Sequence, residues 1–389
     1  MEEGERKKIG EILESCTGCQ ECSSECQILR ELDKLMLHDI AEQVQSGQAD
    51  DDVRNFLLRC DLCGLCVQNC PDRLDIPGMV QIARKELLKK GVTDAETYRA
   101  MWVDHDWNTM TLYRDTYQID YSDLIKSRCD TLFFPGCFLA NEAPELVHST
   151  VRWLTEQGNQ EIGLTLMCCG SPLVQAGLGE RAERYISSLR KTVSDTGARR
   201  IVTACPGCHC QLLSYESTQD LEIVSVFKLM AESGIRAPDI GIGRITVHDS
   251  CHDRKGETGG WVRQILSNYE IVEMAHHGAN TLCCGSGGIV SMIDRELYHS
   301  RTQRRVGEFQ DTGADVCVTY CMACCYTLLQ ATEPDRVRHV LELVFNQLID
   351  HAQFAARLEA MWQSEWGDYN IYRLEHSHLM ESIDNDIRK

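Results

Sequence analysis

Asp195-Thr196-Gly197-Ala198, Val202-Thr203 and Cys205-Pro206-Gly207-Cys208 return as Asp311-Thr312-Gly313-Ala314, Val318-Thr319 and Cys321-Met322-Ala323-Cys324, each element 116 residues on. Upstream, Cys168-Cys169-Gly170-Ser171 returns as Cys283-Cys284-Gly285-Ser286 at an offset of 115, and Cys137 returns as Cys251 at 114. Ten cysteines thus form two sets of five in the same order, with one residue of length change in each connection. Recurrence at a fixed period marks a duplicated structural unit.

Each unit alternates strand-like and helical runs. Thr131-Leu132-Phe133-Phe134 is a short apolar run ending at Pro135-Gly136-Cys137. Leu146, Val147, Val151 and Leu154 then mark one face of a helix that Gly158 closes. Leu164-Thr165-Leu166-Met167 reads as a strand leading into Cys168-Cys169, and Tyr185, Ile186, Leu189 and Val193 mark a second helix stopping at Gly197. The strand Arg200-Ile201-Val202-Thr203 then delivers Cys205. Strands alternating with helices imply a mainly parallel sheet, whose ligand sites lie beyond the carboxyl ends of the strands. Each cysteine set follows a predicted strand end, so five sulfurs per unit are expected to converge on one crevice. Gly170 and Gly285 fit that expectation, because two adjacent cysteines on one centre crowd the backbone and glycine tolerates the dihedrals that result.

Nearer the N-terminus, Cys16-x2-Cys19-x2-Cys22-x3-Cys26 and Cys60-x2-Cys63-x2-Cys66-x3-Cys70-Pro71 both have the spacing of bacterial ferredoxins, in which each fourth cysteine serves the other [4Fe–4S] cluster. Three thiolates at every third residue wrap a loop around one cluster face, and the far corner must be reached from elsewhere. One cubane cluster is therefore assigned to Cys16, Cys19, Cys22 and Cys70, and the other to Cys60, Cys63, Cys66 and Cys26. Zinc sites split their cysteines two and two, unlike this three-plus-one pattern. Gln27 stands where proline follows the second run.

Cysteine is the compositional outlier, at 22 of 389 residues. Met1 to Gly10 has no apolar core of the signal-peptide kind, and disulfide scaffolds are usually small, so metal ligation in a reducing, cytoplasmic compartment is expected. No apolar run is long enough to span a bilayer, so membrane attachment is expected only through a partner subunit. A formal net charge of −20 repels phosphate backbones and speaks against nucleic-acid binding.

A pair of Cys…CCG…C-x2-C units behind two ferredoxin runs resembles the heterodisulfide reductase family, most closely its D-type subunit. The helical-looking spacer from Gln27 to Arg59 resembles the ferredoxin domains of succinate dehydrogenase-type iron–sulfur subunits. The resemblance covers residues 10–330. It implies an α/β chain with a helical ferredoxin-type domain over 1–90, a linker over 91–128, CCG domain repeats over 129–240 and 241–333, and a helical tail over 334–389. It also implies two noncubane [4Fe–4S] clusters beside the two cubane ones. Cys137, Cys168, Cys169, Cys205 and Cys208 would hold one, and Cys251, Cys283, Cys284, Cys321 and Cys324 the other. Relatives of this kind include a catalytic subunit that reduces a small-molecule disulfide such as CoM-S-S-CoB. Others are electron-transfer subunits linking a flavin, quinone, cytochrome or ferredoxin partner to a dehydrogenase or acyl-CoA reductase. Retention of all ten cysteines favours the first role.

His248 and His252 bracket Cys251, close to the H-D-P-C-H pattern of that family; hydrogen bonding to cluster sulfur, proton supply and loop capping are all open to them. Arg254 and Lys255 form a basic spot on an acidic chain, facing either an anionic substrate or solvent. Gly285-Ser286-Gly287-Gly288 matches a nucleotide loop poorly. Met79 to Lys90 is expected to be helical up to Gly91, and the aromatic stretch 98–121 to pack a linker onto a domain. Cys317 replaces the strand residue Ile201 and is expected to be a buried thiol, and Val337 to Phe354 reads as a helix.

Overall fold

The computed structural model describes residues 1–32, 35–158 and 161–380. Its N-terminal part is helical. The main helices are Glu3–Ser15, Leu37–Ser46, Asp51–Arg59 and Ile76–Lys89. Asp50 starts the third by accepting the Val53 N–H at 2.8 Å, and Asp75 starts the fourth by accepting the Gly78 N–H at 3.0 Å. Such caps satisfy backbone donors that a helix start leaves open. Ile9, Ile40, Phe56 and Val80 meet in their common core, joined by Val290 and Leu297 from far along the chain.

Two parallel sheets follow, as the alternation of strands and helices predicts. The first contains β1 (Thr131–Phe134), β2 (Ile162–Leu164), β3 (Arg200–Thr203) and β4 (Glu222–Ser225), in the order β2-β1-β3-β4. The second contains β5 (Ile245–His248), β6 (Val316–Thr319) and β7 (Val337–His339), in the order β5-β6-β7. Equivalent residues pair in both sheets: Phe134 lies opposite Thr203, and His248 opposite Thr319. On the free edge of β5, where β2 sits in the first sheet, a single parallel bridge from Ile245 to Ile271 stands in for a strand. The long crossover helices, Gly179–Thr196 and Arg295–Asp311, are the expected repeats of one another.

Two sequence readings shift. The strand expected over 164–167 pairs with β1 only through Ile162–Leu164. Beyond it, the Cys168 N–H donates to the Tyr185 hydroxyl at 2.9 Å, drawing the chain out of the sheet toward the cysteine crevice. Val337 to Phe354 is not one helix. Val337–His339 is the third strand of the second sheet, followed by the helices Val340–Phe345 and His351–Ala360. Asn346, at φ +49°, ends the first of these helices. The strand is fully buried, so its run of apolar residues has the same look as a helix core. The tail thus starts as part of the second sheet, and positions 381–389 of the expected helical tail lie outside the described residues.

The aromatic stretch packs as expected. Trp102 is buried under the guanidinium of Arg181, at 4.3 Å from the ring centre, and Arg181 grips Asp104 at 2.7 and 2.8 Å. Tyr113 meets Phe354 of the tail at 5.0 Å between ring centres. Among the described residues, no helix is long and apolar enough to cross a membrane.

Candidate metal centres

The two N-terminal cysteine runs are shaped alike. Left-handed backbone occurs at the second and fourth places after the first cysteine in both, at Gly18 and Gln20 (φ +72° and +64°) and at Leu62 and Gly64 (+55° and +74°). Successive turns of this kind aim backbone N–H groups into one concavity, which suits an anionic centre. Cys16, Cys19, Cys22 and Cys70 line one cavity beside Met36 and Leu37. Cys26, Cys60, Cys63 and Cys66 line another, walled by Leu282, Cys283 and Arg301. The fourth cysteine of each run thus sits with the other run, as the ferredoxin spacing predicts. Cys19 is exposed, whereas burial pushes Cys26 up to about 12 and raises Cys60, Cys63 and Cys66 as well. Such thiols stay protonated until a metal displaces the proton.

In the first repeat every cysteine lies past a strand end; in the second, Cys283 and Cys284 do not, because only the isolated Ile245–Ile271 bridge stands where β2 would be. Cys137 and Cys251 follow β1 and β5, and each opens a short helical turn. Cys205 and Cys321 follow β3 and β6 as N-caps of the helices Pro206–Leu213 and Met322–Leu329. Cys208 and Cys324 come one turn later, on the same face. Thiol contacts run without a break in the order Cys137, Cys168, Cys169, Cys208 and Cys205. They continue from Cys205 to Cys321, Cys324, Cys284, Cys283 and Cys251. One unbroken series of contacts therefore links all ten sulfurs, and Cys205–Cys321 is the seam between the two sets. Hydrogen bonds from neighbouring thiols hold Cys169, Cys205, Cys251 and Cys284 well below the ordinary thiol range.

The glycines after each CC pair take dihedrals that favour glycine, with left-handed backbone at φ +75° for Gly170 and +110° for Gly285. A Cβ on Gly285 would lie 2.8 Å from Thr302 Oγ1, and one on Gly170 would lie 2.6 Å from the Tyr215 hydroxyl. Gly287 and Gly288 have a different use from a nucleotide loop. They lie against the backbone of Cys60 and Asp61, where a Cβ on Gly288 would come within 2.7 Å of Asp61 Cα.

His252 reaches solvent in the crevice, with Nδ1 3.8 Å from Cys251 Sγ. Against the lowering effect of burial, the sulfurs of Cys251, Cys205 and Cys169 hold it up to about 9. His248 is fully buried, and its ring lies within 4.8 Å of both Cys284 and Cys324 sulfurs. The basic spot divides. Arg254 donates to the carbonyls of Cys63 at 2.6 Å and Ala279 at 2.7 Å, so it ties the second ferredoxin run to the second sheet unit; Lys255 is exposed. Cys317 is a buried strand thiol as expected, Cys129 packs beside Gly163, and Cys210 contacts the His252 carbonyl.

Sequence reasoning missed several buried charged groups, Arg84 and His351 among them. Arg84 donates to the carbonyls of Leu57, Cys60, Gln175 and Gly288, pinning the ferredoxin-type region to both repeats. His351 lies between Glu142 at 2.5 Å and Glu342 at 2.9 Å, with Cys325 at 3.9 Å. A lone arginine on an otherwise amphipathic helix, or a histidine in a charged tail, carries no periodic signal that marks it as buried.

The donor chemistry fits iron–sulfur clusters: thiol-lined cavities, left-handed loops beside them, and a buried His248 whose ring lies close to the Cys284 and Cys324 sulfurs. Comparison with known proteins agrees. The 4Fe-4S dicluster domain model matches residues 12–74, and the cysteine-rich CCG domain model matches 131–213 and 245–329. The chain is 24% identical to a subunit of the CoM/CoB fumarate reductase of Methanothermobacter marburgensis, over 87% of this chain and 72% of that one. It is 25% identical to a subunit of the dihydromethanophenazine:CoB–CoM heterodisulfide reductase of Methanosarcina mazei, over 85% and 91% respectively. Lactate utilization protein A of Shouchella clausii matches 48% of this chain and 84% of its own length, at 24% identity. The chain carries two CCG cysteine-rich domains behind a 4Fe-4S dicluster domain, and it is an iron–sulfur protein related to these reductase subunits.

Proposed function

We propose that this chain is the disulfide-reducing subunit of a larger oxidoreductase. It would take electrons from a flavin, quinone, cytochrome or ferredoxin partner and convert a small-molecule disulfide, of the CoM-S-S-CoB kind, to two thiols. The reaction RSSR′ + 2 e⁻ + 2 H⁺ → RSH + R′SH needs two electrons at one place. The observation that carries the reading is the seam: both five-cysteine sets are complete and meet through Cys205 and Cys321.

In this reading, Cys16, Cys19, Cys22 and Cys70 hold one cubane cluster, and Cys26, Cys60, Cys63 and Cys66 the other. Cys137, Cys168, Cys169, Cys205 and Cys208 hold the first noncubane cluster, and Cys251, Cys283, Cys284, Cys321 and Cys324 the second. These clusters supply one-electron storage and iron open to thiolate sulfur. The chain's own residues order the donor sets in a line. Cys19 is exposed at one end, and Cys22 and Cys66 adjoin across the ferredoxin-type pair. Cys63 lies close to Cys251, and the seam joins the second CCG set to the first. Gly170 and Gly285 let the chain turn closely past Tyr215 and Thr302 just after the paired cysteines. His252, solvent-accessible beside Cys251, is placed to give a proton to a departing thiolate. Related subunits named for CoM/CoB and heterodisulfide chemistry support the substrate class.

The test is turnover. Anaerobically reconstituted protein, reduced by a low-potential one-electron donor, is offered the mixed disulfide of two small thiols, and free thiol is measured. Release of two thiols per two electrons is expected. A fully reduced chain that never consumes the disulfide, even with its partner subunits, would instead be a conductor feeding another module.

A further inference from the structure

The duplication supplies its own control, because equivalent positions in the two repeats can be compared residue by residue. Phe134 ends β1 and His248 ends β5, at the same offset of 114 that relates Cys137 to Cys251. Leu189 and Arg305 are likewise equivalent on the crossover helices, at the offset of 116. All four side chains are buried. An apolar pair behind the first set is therefore replaced by a histidine and an arginine behind the second. A buried guanidinium and imidazole cost desolvation that phenylalanine and leucine do not, so their placement asks for a compensating role.

The contacts fix how this pair is used. Arg305 donates Nε–H to His248 Nδ1 at 2.9 Å. Its other nitrogens are held by the Glu308 carboxylate, the His276 carbonyl at 2.8 Å and Thr281 Oγ1 at 3.2 Å. The guanidinium has no freedom to turn away. With Nδ1 accepting, the ring proton must sit on Nε2, because a neutral imidazole carries one donor and one acceptor. Nε2 is buried and has no hydrogen-bond partner among the described residues. The ring lies within 4.8 Å of the Cys284 and Cys324 sulfurs, which also lie within 4.8 Å of one another. A protonated Nε2 cannot bind iron, but it can donate to sulfur.

We propose that His248, locked by Arg305, is a hydrogen-bond donor to the sulfur ligands of the second CCG set, and that it holds the cluster there at a higher reduction potential than the one in the first set. The inference rests on the reading that each set holds a cluster. A hydrogen bond to ligand sulfur withdraws negative charge from a cluster and favours its reduced form. The second set also adjoins Cys63 of the ferredoxin-type pair, so the electron would settle first at the set nearer its entry. His248 acts here as a positioning and tuning residue and binds no metal.

The experiment is a reductive titration of the full-length reconstituted protein, followed by electron paramagnetic resonance, with iron counted in every sample. His248→Phe copies the first repeat. It is expected to keep its iron, to lower the midpoint of the second-set signal by the equivalent of about tenfold in the reduction equilibrium, ~59 mV for one electron, and to leave the first-set midpoint in place. His248→Gln, which retains an N–H donor, is expected to recover at least half of that shift. In unmutated protein, one exchangeable proton coupled to the second-set signal is expected to disappear in D2O. An unchanged midpoint in His248→Phe, a missing exchangeable proton, or loss of iron in His248→Phe overturns the inference. A nitrogen directly coordinated in the unmutated protein overturns it as well. Unmutated protein without iron at the second set overturns the cluster reading too, and the iron count separates that failure from the others.

Discussion

The first CCG repeat meets the linker and, at Gln175, the Arg84 anchor of the ferredoxin-type region, whereas the second inserts side chains into that region's core. In the first, Arg181 grips Asp104 and covers Trp102. In the second, Val290 and Leu297 enter the ferredoxin-type core, Arg59 reaches Asp294 at 2.7 Å, and Arg254 holds the Cys63 carbonyl. Facing the crevice, however, the two repeats keep the same strand register and the same five-cysteine order. Duplication has preserved the sulfur-bearing side and let the outer side take different neighbours. The second set therefore stands between the ferredoxin-type pair and the first set.

The largest expected effect concerns the link between the repeats. Glu142 follows Cys137 on the first repeat's opening helix, and Glu342 belongs to the second repeat; His351 joins them. His351→Gln leaves two buried carboxylates without their cation and is expected to destabilise the chain by about 3–5 kcal/mol in chemical denaturation. Burial alone would lower the imidazole's pKa, but Cys325, Glu142 and Glu342 hold it well above the usual histidine range. Its contribution is thus complete below the unfolded value of about 6.5 and declines as pH rises above it, by up to about 1.4 kcal/mol per pH unit. A flatter pH–stability profile between pH 7 and 9 in His351→Gln checks the sign.

A middle-sized effect is expected where only the second repeat is engaged. Gly288→Ala pushes a methyl group into the Cys60–Asp61 backbone from a left-handed position at φ +62°. A loss of about 1–3 kcal/mol is expected, together with a disturbed signal from the cubane held by Cys60. A wild-type signal and midpoint would show that this contact does not fix the two regions together. Lys255→Ala marks the small end. The side chain is exposed beside the docked Arg254, so stability should change by less than about 0.5 kcal/mol. A large rise in the KM for an anionic disulfide in this variant would restore the basic spot as a substrate contact.

Most of the scaffold was legible because its signals are periodic. Cysteine spacing fixes the loops around Cys16 and Cys60, and the 116-residue recurrence marks both C-x2-C helices. Leu189 and Val193 show the buried face of a crossover helix. The buried cations were not legible. Arg301-Thr302-Gln303-Arg304-Arg305 reads as a solvated charge run, yet Arg301 and Arg305 lie one turn apart on the inner face and are buried. Their partners, Asp61 and His248, are more than fifty positions away from them, and no local pattern links such residues. Val337–His339 misled for the opposite reason, since a fully buried parallel strand has no alternation to separate it from a short helix.

Iron and zinc analysis of anaerobically prepared protein, combined with low-temperature electron paramagnetic resonance, tests the central claim most directly. Eighteen cysteines in four sets predict about sixteen irons per chain, no stoichiometric zinc, and two signals unlike the cubane pair. Cys169→Ala and Cys284→Ala should each remove one of those two signals. Zinc in place of iron, or eight irons with cubane signals alone, would contradict the account.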